Sequence, residues 1–253
     1  MLPRQLVYQL LLVVRNPIGA FVSFIIPIML LVALDLVTPE MTLQSLGKVQ
    51  VAQFLTPAMA SFAVLNIGFV DVAVSTTLAR DSGILKRLRA TPLPRWVYMA
   101  GRMGAAACVA ALSVATVVLL GVVVLHAHLA RTAVPAFALA GLAGLVVSCA
   151  LGIALAGLVP NALAALPTSY GVLLPVAFIS GVFFPAPGEA AWLRALSTYL
   201  PVQPFGQAMQ RAFSSSAQGL DARDLVVLAA WTFGALAVAF LAFRWEPRRA
   251  AVK

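Results

Sequence analysis

The chain has 253 residues, of which 62 % are apolar and only 10 % charged, with a formal net charge of +9. An ordinary globular domain is roughly 45–50 % apolar and about 25 % charged, so a water-soluble fold of this size is excluded for want of polar surface. The positive charge sits in short stretches between apolar runs rather than over one face, which points to membrane topology and against a nucleic-acid partner.

In residues 3–15, Leu6, Val7, Leu10, Val13 and Val14 recur at helical spacing, opposite Arg4, Gln5 and Gln9. This predicts an amphipathic helix in the membrane interface; a plain extension of the first span is the alternative. Asn16-Pro17 then turns the chain, and a proline suits the first position of the next helix. Crossing a hydrocarbon core of about 30 Å takes about 20 helical residues. Six runs reach that length: 18–37, 54–78, 103–125, 134–159, 166–184 and 225–243. Four contain no charge; the first holds Asp35 and the second Asp71. The first run follows cationic residues as a signal peptide would, but it is longer than such a segment and lacks a small-residue cleavage site, so it is expected to be retained.

Val159-Pro160-Asn161 breaks the fourth run from the fifth and predicts a tight helical hairpin. Residues 185–223 hold two apolar stripes, Trp192, Leu193, Leu196, Tyr199 and Leu200, then Phe205, Met209 and Phe213, separated by Pro201 and Pro204. Two short amphipathic helices at the outer interface follow, able to dip into the bilayer only where other helices cover their ends. With the N-terminus inside, about twelve of the 17 Lys and Arg fall in inside segments. Both termini are then cytoplasmic and the span count is even. The expected fold class is an all-α membrane protein: one transmembrane permease domain over 1–253, six spans, an N-terminal interfacial helix and a cytoplasmic helix between spans two and three.

That cytoplasmic segment, 80–95, is the most informative part of the chain. Ser82 is placed to cap a short helix through Arg89. Ile84, Leu85 and Leu88 share one face, while Lys86, Arg87 and Arg89 cover the others. Thr91-Pro92 and Pro94 stop the helix. A helix of about seven residues is unstable alone in water, so flanking spans, lipid or a partner must hold it. An apolar stripe on a compact helix suits a groove on another protein; a basic loop that fixes topology and touches anionic lipid is the plainer reading.

Gly83-Ile84-Leu85-Lys86-Arg87-Leu88-Arg89-Ala90-Thr91-Pro92-Leu93-Pro94 resembles the coupling-helix segment of type-2 ABC transporter permeases. Arg15-Asn16-Pro17 resembles that family's junction into the first span. Ser180-Gly181-Val182-Phe183-Phe184-Pro185, with Leu200-Pro201 and Arg211, resembles its end of span five and outer helices. The resemblance covers essentially the whole chain. It implies a working unit of two permeases, the second a copy or a paralogue, and two cytoplasmic ABC ATP-binding subunits. A cleft of each ATP-binding subunit would receive a coupling helix. In that role Ile84, Leu85 and Leu88 would dock, and Arg80, Lys86, Arg87 and Arg89 would meet an acidic rim or lipid phosphates, with Asp81, Gly83, Thr91 and Pro92 completing the segment. Asp81 stands where relatives often carry glutamate, so the charge is kept.

The chain carries no phosphate loop: its one Gly-Lys pair, Gly47-Lys48, is followed by Val49 and lacks the upstream glycine. No cofactor is expected on this chain; ATP and Mg belong to the partner subunit. No H-E-x-x-H or G-x-S-x-G motif is present, and no metal site is expected. His126 and His128 are too few for a metal site and read as interfacial. Cys108 and Cys149 read as small buried hydrophobes.

Asp71, a carboxylate within span two, either faces a substrate pathway or pairs with a neighbour such as Arg102. Asn66, Ser75, Thr76 and Thr77 are further candidates to line that pathway, although Ser and Thr in spans more often bond their own backbone or a neighbouring helix. Gly101, Gly104, Gly141, Gly144, Gly152 and Gly157 suit close helix packing. The expected function is export of a hydrophobic or amphipathic substrate (drug, lipid or lipid-linked glycan) across a bacterial cell membrane, with a drug-exporter-like coupling segment. A secondary transporter or channel without ATP is the alternative, and a membrane-embedded transferase a further one.

Overall fold

A computed structural model describes residues 2–15, 17–37, 42–43, 49–89, 94–181, 192, 197–213 and 220–242. Helix α1 (Leu2–Arg15) precedes α2 (Pro17–Val37). A two-residue antiparallel ladder follows, β1 (Thr42–Leu43) with β2 (Val49–Gln50), Thr42 opposite Gln50. Then come α3 (Val51–Leu65), a π-helical segment (Asn66–Asp71) and α4 (Val72–Asp81). The short α5 (Ile84–Arg89), α6 (Arg95–Val123), α7 (Val134–Leu158), α8 (Ala162–Ile179), α9 (Val202–Phe213) and α10 (Ala222–Ala242) complete the chain. The protein is an all-α membrane protein.

Among the described residues, five helical stretches are long and apolar enough to cross a bilayer: Val51–Asp81, Val97–Val123, Arg131–Leu158, Ala162–Ile179 and Ala222–Leu241. In α2 the apolar stretch that qualifies by composition is the shorter Ser23–Leu34. The boundaries move from those the apolar runs predict wherever polar residues continue a helix. Thus α6 starts at Arg95 behind the N-cap Pro94. Helix α8 ends at Ile179 because Gly181 takes φ +66, outside helical geometry.

The 31-residue rod Val51–Asp81 is the centre of the bundle: its most apolar window is 83 % buried, against 22 % for α8 and for α10. A helix apolar on all sides belongs inside, and helices with exposed apolar faces belong at the lipid boundary. Helix α7 packs against the rod, α9 and α10. Its glycines admit the neighbours: Gly144 faces the ring of Phe205 of α9. Gly152 lies so close to the π segment that a Cβ there would stand 2.7 Å from the Phe69 carbonyl oxygen and 2.8 Å from that of Gly68. Gly101 and Gly104 of α6 face Gln5 and Leu6 of α1 in the same way.

Helix α1 is amphipathic but turned differently from the expectation. Val7, Tyr8, Leu11 and Leu12 are exposed, while Gln9 is buried toward α6. The reason is Arg102, whose Nη1 donates to Gln9 Oε1 at 3.4 Å. Of the two cysteines, Cys149 is buried as expected and Cys108 faces outward on α6.

At the end of the rod away from α5, α9 lies within the bundle. Phe205, Met209 and Phe213, the predicted stripe, are all buried. Its C-terminal carbonyl of Phe213 accepts from Gln53 Nε2 at 3.2 Å, and Gln53 also bonds the peptide of His128 in both directions. Arg211 pairs with Asp221 and Asp224 at the start of α10. The Gln53 contact satisfies one of the C-terminal carbonyls that a dip into apolar surroundings would otherwise leave bare. Of the first predicted outer helix, only Trp192 and residues 197–200 fall within the described residues.

Candidate functional site: the α4–α5 segment and the polar network

Helix α4 runs through Asp81 and ends in a two-residue turn. Ser82 N donates to Leu78 O at 2.9 Å and Gly83 N to Arg80 O at 3.1 Å. Gly83 has φ +72, a left-handed conformation that glycine adopts without a Cβ penalty. The expectation that Ser82 caps α5 is therefore corrected: its hydroxyl donates backward to Leu78 O at 2.8 Å and closes α4. The chain reverses too soon after Ser82 for it to reach the amides of α5; the carbonyl that opens α5 is that of Gly83, accepting from Arg87 N at 3.1 Å.

Helix α5 has an anchored side and a free side. Leu85 is fully buried against Tyr98 of α6, with Ala79 and Met99 beside them. Ile84, Lys86 and Arg87 are exposed. Leu85 thus faces the bundle instead of standing outward with Ile84, and among the described side chains of α5 it is the one that anchors the helix there. The side chains of Leu88 and Arg89 lie outside the described residues, as do Thr91 and Pro92.

Arg80 differs most from its expected position. It is 2 % exposed and turned into the bundle. Its Nη1 donates to Ala156 O at 2.8 Å, and its Nη2 to Val159 O at 3.0 Å and Pro160 O at 3.2 Å. Its Nε pairs with Asp81 Oδ1 at 3.2 Å, and Asp81 Oδ2 accepts from Ala162 N at 2.6 Å. Arg80 and Asp81 thus face inward, and among the described side chains of α5 the exposed ones are Ile84, Lys86 and Arg87.

Asp71 and Ser75 belong to a polar network across the rod, and Asn66 bonds apart from it to α8. Asp71 Oδ2 accepts from Ser23 Oγ of α2 at 2.5 Å. Ser75 Oγ donates to the Asp71 main-chain carbonyl and accepts from Arg102 Nη2. Arg102 continues to Gln9 of α1. Asp71 and Arg102 are therefore joined through Ser75, with no direct ion pair among the described residues. Asn66 Oδ1 accepts from Tyr170 OH of α8 at 2.9 Å. Asn66 and Asp71 bound the π segment, a helix form that recurs at functional positions. Thr56, Ser61, Thr77, Ser148 and Ser169 bond their own backbones four residues back, as the sequence reading expects of hydroxyls in spans.

His126 Nδ1 lies 3.1 Å from the Val124 carbonyl, both histidines are exposed, and His128 engages Gln53 through its main chain. Sequence reasoning missed the internal roles of Arg80, Gln53 and Tyr170, because each is defined by a partner distant in the chain.

No curated protein matches the sequence. The family model for the ABC-2 type transporter matches residues 6–213, from α1 through the end of α9. That match takes in α5, the rod and the polar network, so the chain belongs to the ABC-2 type transporter family and is a membrane-embedded permease subunit of an ABC transporter.

Proposed function

We propose that the chain is the permease half of an ATP-driven exporter. Two permeases, this chain twice or with a paralogue, join two cytoplasmic ATP-binding subunits that carry ATP and Mg. Members of the family normally work with such a subunit, and this chain lacks a phosphate loop of its own. Helix α2 serves as the sixth span, both termini face the cytoplasm, and the protein resides in a bacterial cell membrane. The substrate is hydrophobic or amphipathic, a drug, lipid or lipid-linked glycan, in keeping with spans that offer few polar groups outside the network around Asp71.

The observation that carries this reading is the two-sidedness of α5. Leu85 fixes it to α6, while Ile84, Lys86 and Arg87 stand outward where a partner can grip them. A helix too short to hold its own shape is here braced from behind and presented in front. The test is the Lys86→Glu/Arg87→Glu variant, co-expressed with the ATP-binding subunit and isolated by a tag on the permease. The expected result is a sharp drop in recovered ATP-binding subunit with the permease yield maintained. Recovery equal to that of the parent chain would refute the docking role of α5.

A further inference from the structure

Two adjacent side chains of α4 grip the α7–α8 hairpin on both sides of its turn. Arg80 reaches the carbonyls of Ala156, Val159 and Pro160, where α7 ends. Carbonyls at a helix C-terminus lack intrahelical donors and carry partial negative charge, so a guanidinium satisfies them on both counts. Asp81 accepts the Ala162 amide at the first residue of α8, where the complementary deficit of acceptors and partial positive charge lie. The Arg80–Asp81 ion pair locks the two contacts to each other.

Immediately beyond this pair, Ser82 and Gly83 turn the chain into α5. The exposed face of α5 and the gripped hairpin are thus joined through a two-residue turn. A buried, charge-assisted cluster has no cheap alternative partners: shifting it exposes an unpaired guanidinium to apolar surroundings. An apolar contact can slide; this one must move as a unit or break.

We infer that Arg80 and Asp81 are positioning residues that carry displacement of α5 into the α7–α8 hairpin, so that the hairpin moves with the coupling segment. The inference rests on the reading of α5 as the part a partner moves. Its test has one arm independent of that reading. Cys108 and Cys149 are replaced by alanine, and spin labels are placed at Arg87→Cys on α5 and Leu163→Cys on α8, which is 91 % exposed. The inter-label distance distribution is measured in lipid nanodiscs. A narrow distribution is expected with Arg80 and Asp81 intact, a broad one in Arg80→Gln and Asp81→Ala, and a return toward narrow in Arg80→Lys. Asp81→Ala leaves the guanidinium on its carbonyls, so it reports even where Arg80→Gln fails to fold. Distributions as narrow in both variants as in the parent overturn the inference.

In the second arm, transport and ATP hydrolysis are measured on the same reconstituted complex. Arg80→Gln should lower transport at least about tenfold more than ATP hydrolysis, because it removes the charged group that makes three carbonyl hydrogen bonds and an ion pair in the coupling path. A merely structural role would lower both in proportion to folded protein, and that result also overturns the inference. A parent chain that transports without any ATP-binding subunit refutes the proposed function instead, and the spin-label arm alone then decides the role of Arg80 and Asp81.

Discussion

Replacing Gly152 by alanine tests whether the π segment is held by close approach of α7. A Cβ at this position would lie 2.7 Å from the Phe69 carbonyl oxygen, 2.8 Å from that of Gly68 and 3.3 Å from the Phe69 Cα, where ordinary contact begins at 3.4 Å. All three atoms are main chain, so relief requires the rod or α7 to move. Added volume in a packed core costs about 1–3 kcal/mol, and alanine returns roughly 0.5–1 kcal/mol of helix propensity. A net destabilisation of up to about 2.5 kcal/mol follows, and a deficit of about 1–3 kcal/mol against a control that gains the same propensity. Gly171→Ala is the control, since nothing lies within 4 Å of a Cβ there and propensity alone should leave it neutral or slightly stabilised. The assay is thermal unfolding of the two purified variants in one detergent, followed by transport of each in proteoliposomes. Gly152→Ala should melt below both the parent and Gly171→Ala, and should lose transport, because Asn66 and Asp71 bound the segment that moves. A Gly152→Ala protein as stable as Gly171→Ala would refute the close-approach argument.

Other outcomes follow from individual contacts. Leu85→Ala removes the buried contact with Tyr98 and should cost about 2 kcal/mol; it should also reduce recovery of the ATP-binding subunit, whereas Ile84→Ala should reduce recovery with thermal stability unchanged. Arg211→Ala leaves Asp221 and Asp224 without their cation at the α9–α10 junction. This partly exposed pair should cost about 1 kcal/mol in thermal unfolding, part of it regained in Arg211→Ala/Asp224→Asn. Tyr170→Phe removes the hydroxyl donated to Asn66; its cost should be close to the roughly 0.6 kcal/mol average for hydrogen bonds between membrane helices, visible as a small fall in melting temperature.

What could be read from residues alone was whatever the bilayer dictates. Runs without charge announce spans because an unpaired charge in hydrocarbon is expensive. The stripe Phe205, Met209, Phe213 announced an amphipathic helix. That α9 is buried within the bundle was not legible, because its burial depends on Gly144 clearing the Phe205 ring and on Gln53 covering the last carbonyl, 160 residues away. Arg80 was misplaced for a related reason. A cation beside a span reads as a topological marker, and its true partners are carbonyls 76 to 80 residues on, which carry no side-chain signature. Ser82 was read as an N-cap because serine favours that position. The next residue, Gly83, ends one helix and begins another, and only backbone geometry shows that Ser82 belongs to the first. The π segment left no trace in the pattern of apolar residues, since a single widened turn shifts the faces of a helix that is buried on every side.

Export driven by a partner requires α5 to lie on the cytoplasmic side and to be gripped there by an ATP-binding subunit. The direct measurement is site-specific photocrosslinking from position 86, with a photoreactive residue in place of Lys86, in cells that express both subunits. An adduct with the ATP-binding subunit is expected, lost when the Arg87→Glu change is added. Absence of that adduct, together with labelling of a Lys86→Cys variant by a membrane-impermeant thiol reagent added outside intact cells, would contradict both requirements.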